Sequence, residues 1–201
     1  MCNLYRMTKA TGEVASWFAA RSDASANIGS EVFPGYPGLV IADGELVSMT
    51  WGFPLAMKSK KTGKPLKPKP VNNTRTDKLD SFFWRYSFEE RRCLIPLTAW
   101  AEAQGPRGQM TRTWMSMLDA DLFACAGIWR DSDEWGRCYS MVMTDAAGPA
   151  ADVHTRMPVL LAPAEYPVWT DGDHAEAKAL CKAWEGALRI DRTDQKWSRA
   201  G

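Results

Sequence analysis

Two apolar runs, Leu39 to Ile41 and the alternating Glu45 to Trp51, face each other across Asp43-Gly44. Asp-Gly accepts the positive φ angles of a tight hairpin turn, and alternation with a period of two buries one face of a strand. A chain holding this pair commits early to antiparallel sheet. Further short apolar runs follow at Cys93 to Pro96, Thr113 to Leu118, Leu122 to Trp129 and Cys138 to Thr144. The last three, joined by polar turns at Asp119-Ala120 and Asp131 to Gly136, read as a meander that curls toward a barrel. Asn3 to Met7 reads as a short strand. Helical spacing is confined to 8–20, where Thr8 or Thr11 offers a cap, and to 163–169 and 173–185, followed by a polar tail. Residues 21–30 read as a loop. The expected fold is α+β: a single domain over 1–201, with a curled, mainly antiparallel, barrel-like core over 2–161 and a helical C-terminal part over 162–201.

Composition removes several functions. The 201 residues are 45% hydrophobic, enough for a sizeable core, and the net charge of +1 leaves any polyanion site to be local. No apolar run approaches the roughly 18 residues of a membrane helix, and the N-terminus lacks a signal-peptide layout. Five cysteines, without metal-type spacing, argue for reduced thiols, with Cys93, Cys125 and Cys181 in apolar runs. The expectation is a cytoplasmic monomer, nucleoid-associated if prokaryotic, with no metal, cofactor or membrane partner.

Cys2 carries the most chemistry. A small second residue permits enzymatic removal of Met1, which leaves an α-amine and a thiol on one residue. Their reference pKa values of about 7.7–8.0 and about 8.5 make both partly available near neutrality. An aldehyde can form a Schiff base with that amine and close onto the sulfur as a five-membered thiazolidine. Small second residues are also common without any such role, so the weight of Cys2 rests on what the chain brings to it. Glu102 stands among Ala99, Trp100, Ala101 and Ala103. Apolar company raises a carboxyl pKa toward the range useful for proton transfer, unless Glu102 is simply the exposed position of a half-buried strand. Of the two histidines, His154, followed by Arg156 and an apolar strand, is a better candidate than His174 in its Asp-rich helix start.

The segment from Met57 to Pro70 mixes Lys58, Lys60, Lys61, Lys64, Lys67 and Lys69 with Gly63 and three prolines. It reads as a mobile basic loop, by default a solvated excursion, in the functional reading a phosphate clamp. Val71 to Asp77 is dense in polar residues and fits equally a turn with a helix cap or part of a site. Gly105 to Arg112 forms a second loop with Arg107 and Arg112. Ten tryptophans serve the core and, beside basic loops, offer surfaces on which unpaired bases stack.

In order along the chain, Cys2, Trp51-Gly52, Asn73-Thr74-Arg75-Thr76-Asp77, Cys93 to Pro96 leading to Glu102, and His154 to Pro158 resemble the landmarks of the SOS response-associated peptidase (SRAP) family. Departures mark a divergent member. Asn3 and Leu4 follow Cys2 in place of Gly-Arg, Val32 to Gly35 replace an Asn-x-Ala-Pro segment, and Asp77 replaces a Glu. The resemblance implies shielding of abasic sites in single-stranded DNA. The Cys2 amine would attack C1′ of the opened sugar, and the Cys2 sulfur would close the thiazolidine. Glu102 would carry protons, His154 would assist ring opening and reversal, and Asn73 would orient the terminus or the sugar. Arg75 and Arg156, joined by Lys60, Lys61 and Arg107, would hold phosphates, while Phe33, Pro34 and Trp51 would stack on or wedge between bases. The implied partner is single-stranded DNA containing an abasic site. Two other classes remain open: a thiol peptidase or autoprocessing enzyme using Cys2, and a noncovalent single-strand module that needs no abasic site.

Overall fold

Strands Pro37–Ala42 and Glu45–Trp51 pair from Pro37↔Thr50 to Ala42↔Glu45 in the computed structural model, which describes residues 2–22 and 28–197. Asp43 and Gly44 supply the positive φ angles, 52° and 73°, that the tight turn needs. Arg92–Leu97, buried along its whole length, joins Pro37–Ala42 through Ile41↔Leu94. Phe123–Ser132 pairs with Arg92–Leu97, and Gly136–Asp145 pairs with Phe123–Ser132. The ring closes where Gly136–Asp145 meets Glu45–Trp51 in parallel, at Cys138↔Thr50 and Tyr139↔Trp51. Five strands therefore form a closed barrel, which abolishes the exposed edges of an open sheet. In its interior the Tyr5 and Tyr139 hydroxyls share a 2.5 Å hydrogen bond, in space that a Cβ at residue 38 would occupy; only Gly38 fits there.

A second sheet lies outside the barrel, in the order Leu188–Lys196, Thr111–Met117, Ala99–Gln104, Tyr5–Arg6, Glu31–Val32. The expected three-strand meander is thus not formed: Thr111–Met117 folds back on Ala99–Gln104, and of the three expected strands Phe123–Ser132 and Gly136–Asp145 alone pair with each other in the barrel. Apolar runs mark which segments are buried but not which partner each takes. The polar tail is also corrected, since Leu188–Lys196 is an edge strand whose residues are all exposed or half-buried. Helices are shorter than their periodicity suggests. The first spans Thr11–Trp17 and starts from Ala10 without a side-chain cap. Near the C-terminus, among the described residues, only Tyr166–Asp171 and His174–Ala179 are α-helical, the latter capped reciprocally by Asp173 and Glu176. Within the expected loop 21–30, Arg21–Ser22 pairs with Glu45-Leu46, and residues 23–27 lie outside the described residues.

The lysine-rich segment is not a loop. Between Trp51 and Asn72 the chain leaves the barrel as an antiparallel ribbon, Phe53–Lys58 against Pro65–Val71. Phe53 anchors its base, fully buried with the Arg130 guanidinium 4.2 Å from the ring centre. Gly52 makes the exit possible: its φ is 120°, and a Cβ there would meet that of Pro70 at 2.5 Å. On its return the chain pairs Asn73–Arg75 in parallel with Met141 to Met143, just past the barrel closure.

Arg92 fastens both flanking helices to the barrel. Its guanidinium donates to the Phe88 and Glu89 carbonyls at 2.8 and 3.2 Å, to Trp169 at 2.5 Å, and to Gly172. These carbonyls end the helices Arg85–Glu90 and Tyr166–Asp171, where orphan acceptors and the negative dipole end favour a cation. Replacing Arg92 with Met is expected to lower unfolding free energy by about 3 kcal/mol, read from urea denaturation. Among the described residues, no helix is long and apolar enough to cross a membrane.

Candidate active site around Cys2

The second sheet delivers the N-terminus to a carboxylate. Tyr5 pairs with Trp100 and Arg6 with Ala99, and the Ala101 N–H donates to the Leu4 carbonyl at 2.9 Å. Continued toward the terminus, that antiparallel register sets Asn3 and Cys2 alongside Glu102 and Ala103. Cys2 is fully buried, and its thiol donates to the Leu4 carbonyl at 3.4 Å.

Two amides hold the Cys2 backbone. Asn73 Nδ2 donates to the Cys2 carbonyl at 2.7 Å and Asn72 Nδ2 does so at 2.9 Å. Asn72 also donates to Asn3 Oδ1 at 3.2 Å. The Asn72 carbonyl is itself fixed by the Trp51 indole N–H at 2.9 Å and the Met141 N–H at 3.0 Å. A chain of contacts therefore runs from the barrel closure through Trp51 and Asn72 to Cys2. Asn72 was not singled out in the sequence. The signal was there in two adjacent asparagines following an apolar residue, but nothing in the sequence says both face one carbonyl.

Glu102 is only 3% exposed. Burial raises its pKa to about 7, with the positive amino terminus pulling the other way. Burial, and then the Glu102 charge, push the Cys2 thiol well above its ordinary value. His154 is lowered, first by burial and then by the same amino-terminal charge. Its Nδ1 lies 2.9 Å from the Arg156 N–H and 3.2 Å from the Arg156 carbonyl; the nearer N–H makes Nδ1 an acceptor and leaves the neutral ring protonated at Nε2. Gln104 donates to the Asp152 carbonyl at 3.2 Å, tying the Glu102 strand to the 3₁₀ turn Gly148–Asp152 that precedes His154. Cys2, Asn73, Glu102 and His154, distant in sequence, thus converge on the start of the chain.

The remaining candidates divide. Trp51 is fully buried, with its ring stacked on Tyr139 and edge-on to Tyr5, so it cannot stack on a base. Its work is internal, holding Asn72. Phe33 and Pro34 are half-buried beside it, where the Gly35 N–H donates to the Trp51 carbonyl at 2.7 Å. Arg75 makes a bidentate pair with Asp77, both bonds 2.8 Å, and Arg156 pairs with Asp145 at 3.1 Å. Lys60 and Lys61 are exposed at the ribbon tip and Arg107 in the turn after Ala99–Gln104, all outside the Cys2 cluster.

Fold and site define a barrel protein arranged around its own second residue. The chain belongs to the SOS response associated peptidase (SRAP) family, whose profile matches residues 1–196. That membership supports a role related to DNA damage. Among solved structures, a protein from Bordetella bronchiseptica is similar at 22% identity and a TM-score of 0.79, over 96% of this chain and 99% of the other. A protein from Bacteroides thetaiotaomicron gives 20% and 0.77, over 95% and 91%. A phage-related protein from Bordetella bronchiseptica gives 21% and 0.69, over 96% and 95%. These likenesses establish the fold. No curated protein matches the chain.

Proposed function

We propose that the protein shields abasic sites in single-stranded DNA by forming a thiazolidine between C1′ of the opened sugar and Cys2, once Met1 has been removed. The observation that carries this reading is the double amide clamp on the Cys2 carbonyl beside a buried carboxyl whose pKa is about 7. The neutral amine adds to the aldehyde, giving a carbinolamine. Loss of water gives the Schiff base, and addition of sulfur to C1′, with its proton passing to nitrogen, closes the ring. Glu102, populated in both forms near neutrality, takes the ammonium proton and returns one to the departing hydroxyl. The neutral His154, protonated at Nε2, is suited to hydrogen-bonding the sugar oxygen during ring opening.

The raised pKa of the Cys2 thiol supports this order of events over a thiol peptidase. A peptidase needs a thiolate as its first nucleophile, and burial next to Glu102 opposes thiolate formation. In the proposed path sulfur reacts second, against a Schiff base already tethered to the same residue, where proximity replaces thiolate character.

The test is an incubation of the protein with single-stranded DNA containing one abasic site, followed by denaturing electrophoresis. Wild type is expected to give a denaturation-resistant adduct and Cys2→Ala none; equal results from the two would remove the proposal. Asn72→Leu should slow adduct formation by about ten- to a hundredfold through loss of orientation while costing about 1–2 kcal/mol of stability. An unchanged single-turnover rate would show that Asn73 alone holds the terminus.

A further inference from the structure

Glu102 and His154 reach the Cys2 terminus on different sheets. Glu102 lies on Ala99–Gln104 of the second sheet. His154 lies between the 3₁₀ turn Gly148–Asp152 and the strand Arg156–Pro158, which pairs with Gly136–Asp145 of the barrel. Strand pairing within either sheet therefore does not by itself set the spacing between the two groups. Residues two apart on a strand share a face, so Gln104 stands on the same side as Glu102. Thr113 is directly opposite Glu102, shares that face, and is diagonal to Gln104.

Thr113 is 1% exposed, and its hydroxyl donates to Gln104 Oε1 at 2.7 Å. The half-buried Gln104 donates in turn from Nε2 to the Asp152 carbonyl at 3.2 Å. A carbonyl only accepts, so the amide nitrogen must face Asp152 and the amide oxygen must face the Thr113 hydroxyl. The side chain is thus fixed from both ends in one orientation. Past Asp152 the backbone is equally constrained. The Val153 and His154 N–H groups both donate to the carbonyl of the buried Ala150 at 3.0 Å, and the His154 ring accepts from the Arg156 N–H at 2.9 Å. A chain of hydrogen bonds therefore runs from the strand opposite Glu102, through Gln104, to the turn that carries His154.

We infer that Gln104 is a positioning residue, which holds the His154 turn against the Glu102 strand so that the group assisting sugar opening and the group carrying protons meet one bound sugar. The inference rests on the proposed abasic-site reaction and adds to it a side chain that touches no reacting atom. Its physical competitor is a brace that stabilises the turn and leaves the chemistry alone. The two differ in which aldehydes they affect. An abasic sugar must open before its aldehyde can react, whereas propanal has no ring to open. Misplacement of His154 therefore slows the first reaction and spares the second.

The experiment follows two single-turnover reactions by intact mass, one with abasic single-stranded DNA and one with propanal, using protein freed of Met1. Gln104→Met keeps the volume without either hydrogen bond, and Gln104→Glu keeps the shape but sets a charge against the Asp152 carbonyl. Both are expected to form the DNA adduct about ten- to a hundredfold more slowly than wild type, and the propanal thiazolidine at the wild-type rate. Thr113→Val should slow the DNA reaction and Thr113→Ser should restore it. NMR titration of the two histidines reads the geometry directly. Burial and the amino-terminal charge hold the His154 pKa low, so in Gln104→Met His154 should titrate closer to the ordinary histidine value while His174 is unmoved. An unchanged DNA rate, an unmoved His154 titration, or equal slowing of both reactions in Gln104→Met would each overturn the positioning role. Wild type that forms no DNA adduct would overturn the proposed function and this role with it.

Discussion

Protein carrying one extra residue ahead of Cys2 is expected to give no adduct with abasic single-stranded DNA under any condition, even when borohydride is present to trap Schiff bases. Cys2→Ala with a free terminus is expected to behave differently: no stable adduct alone, but a borohydride-trapped one. The contrast separates the two nucleophiles. An extended terminus converts the Cys2 amine to an amide, which cannot form an imine, so the first step is lost although Asn72 and Asn73 still hold the Cys2 carbonyl. Cys2→Ala keeps that amine and loses only ring closure, leaving a reversible imine. The difference in trapped product should be all or none, read by electrophoresis and by intact mass. Trapped adduct from the extended protein would show that a lysine, not the terminus, is the nucleophile.

Glu102→Gln is expected to make the protein slower and more stable together. As general acid and base, Glu102 is worth about 10²–10⁴-fold in the rate of adduct formation. The wild-type rate should climb through pH about 7, where the carboxyl ionises, and the variant should lack that limb. The stability effect follows from the same burial. The pKa of Glu102 is raised from 4.5 to about 7, so between those values the native state holds a proton that the unfolded chain has released. Unfolding free energy therefore falls as pH rises through that window and stays low above it, by up to about 3 kcal/mol. Glu102→Gln removes the ionisation and should recover most of that loss at pH 8 and almost none at pH 4, measured by urea denaturation at both. Equal effects at the two pH values would mean that Glu102 ionises as an ordinary surface carboxylate.

Much of this is legible in the residues themselves. Asp43-Gly44 between apolar strands specifies its hairpin through turn chemistry that needs no tertiary partner, and Cys93 to Pro96 announces a buried strand by its run of apolar residues. Cys2 and Glu102 stand out because an aminothiol and a carboxyl in apolar company are chemically unusual wherever they fold. The lysine ribbon is hidden in the sequence for an equally physical reason. Prolines and charges suppress the sequence signal for a strand, whereas Pro54↔Pro70 and Leu55↔Lys69 are tolerated where both edges face solvent and Phe53 anchors the base.

Trp51 shows the limit from the other side. Sequence marks it as an aromatic beside a basic segment, and only packing decides that it points inward, under Tyr5 and Tyr139, with its indole spent on Asn72. Sequence by itself determined the reactive groups, the hairpin and the mainly β character, because these follow from residue chemistry and local periodicity. Tertiary structure alone decided that Gly136–Asp145 closes the ring on Glu45–Trp51, that the ribbon returns the chain at Asn72, and that Ala99–Gln104 carries Glu102 to the terminus. Those are pairings between segments far apart in the chain, chosen by the collective burial of a barrel and the satisfaction of its backbone hydrogen bonds, and no local stretch of residues encodes them.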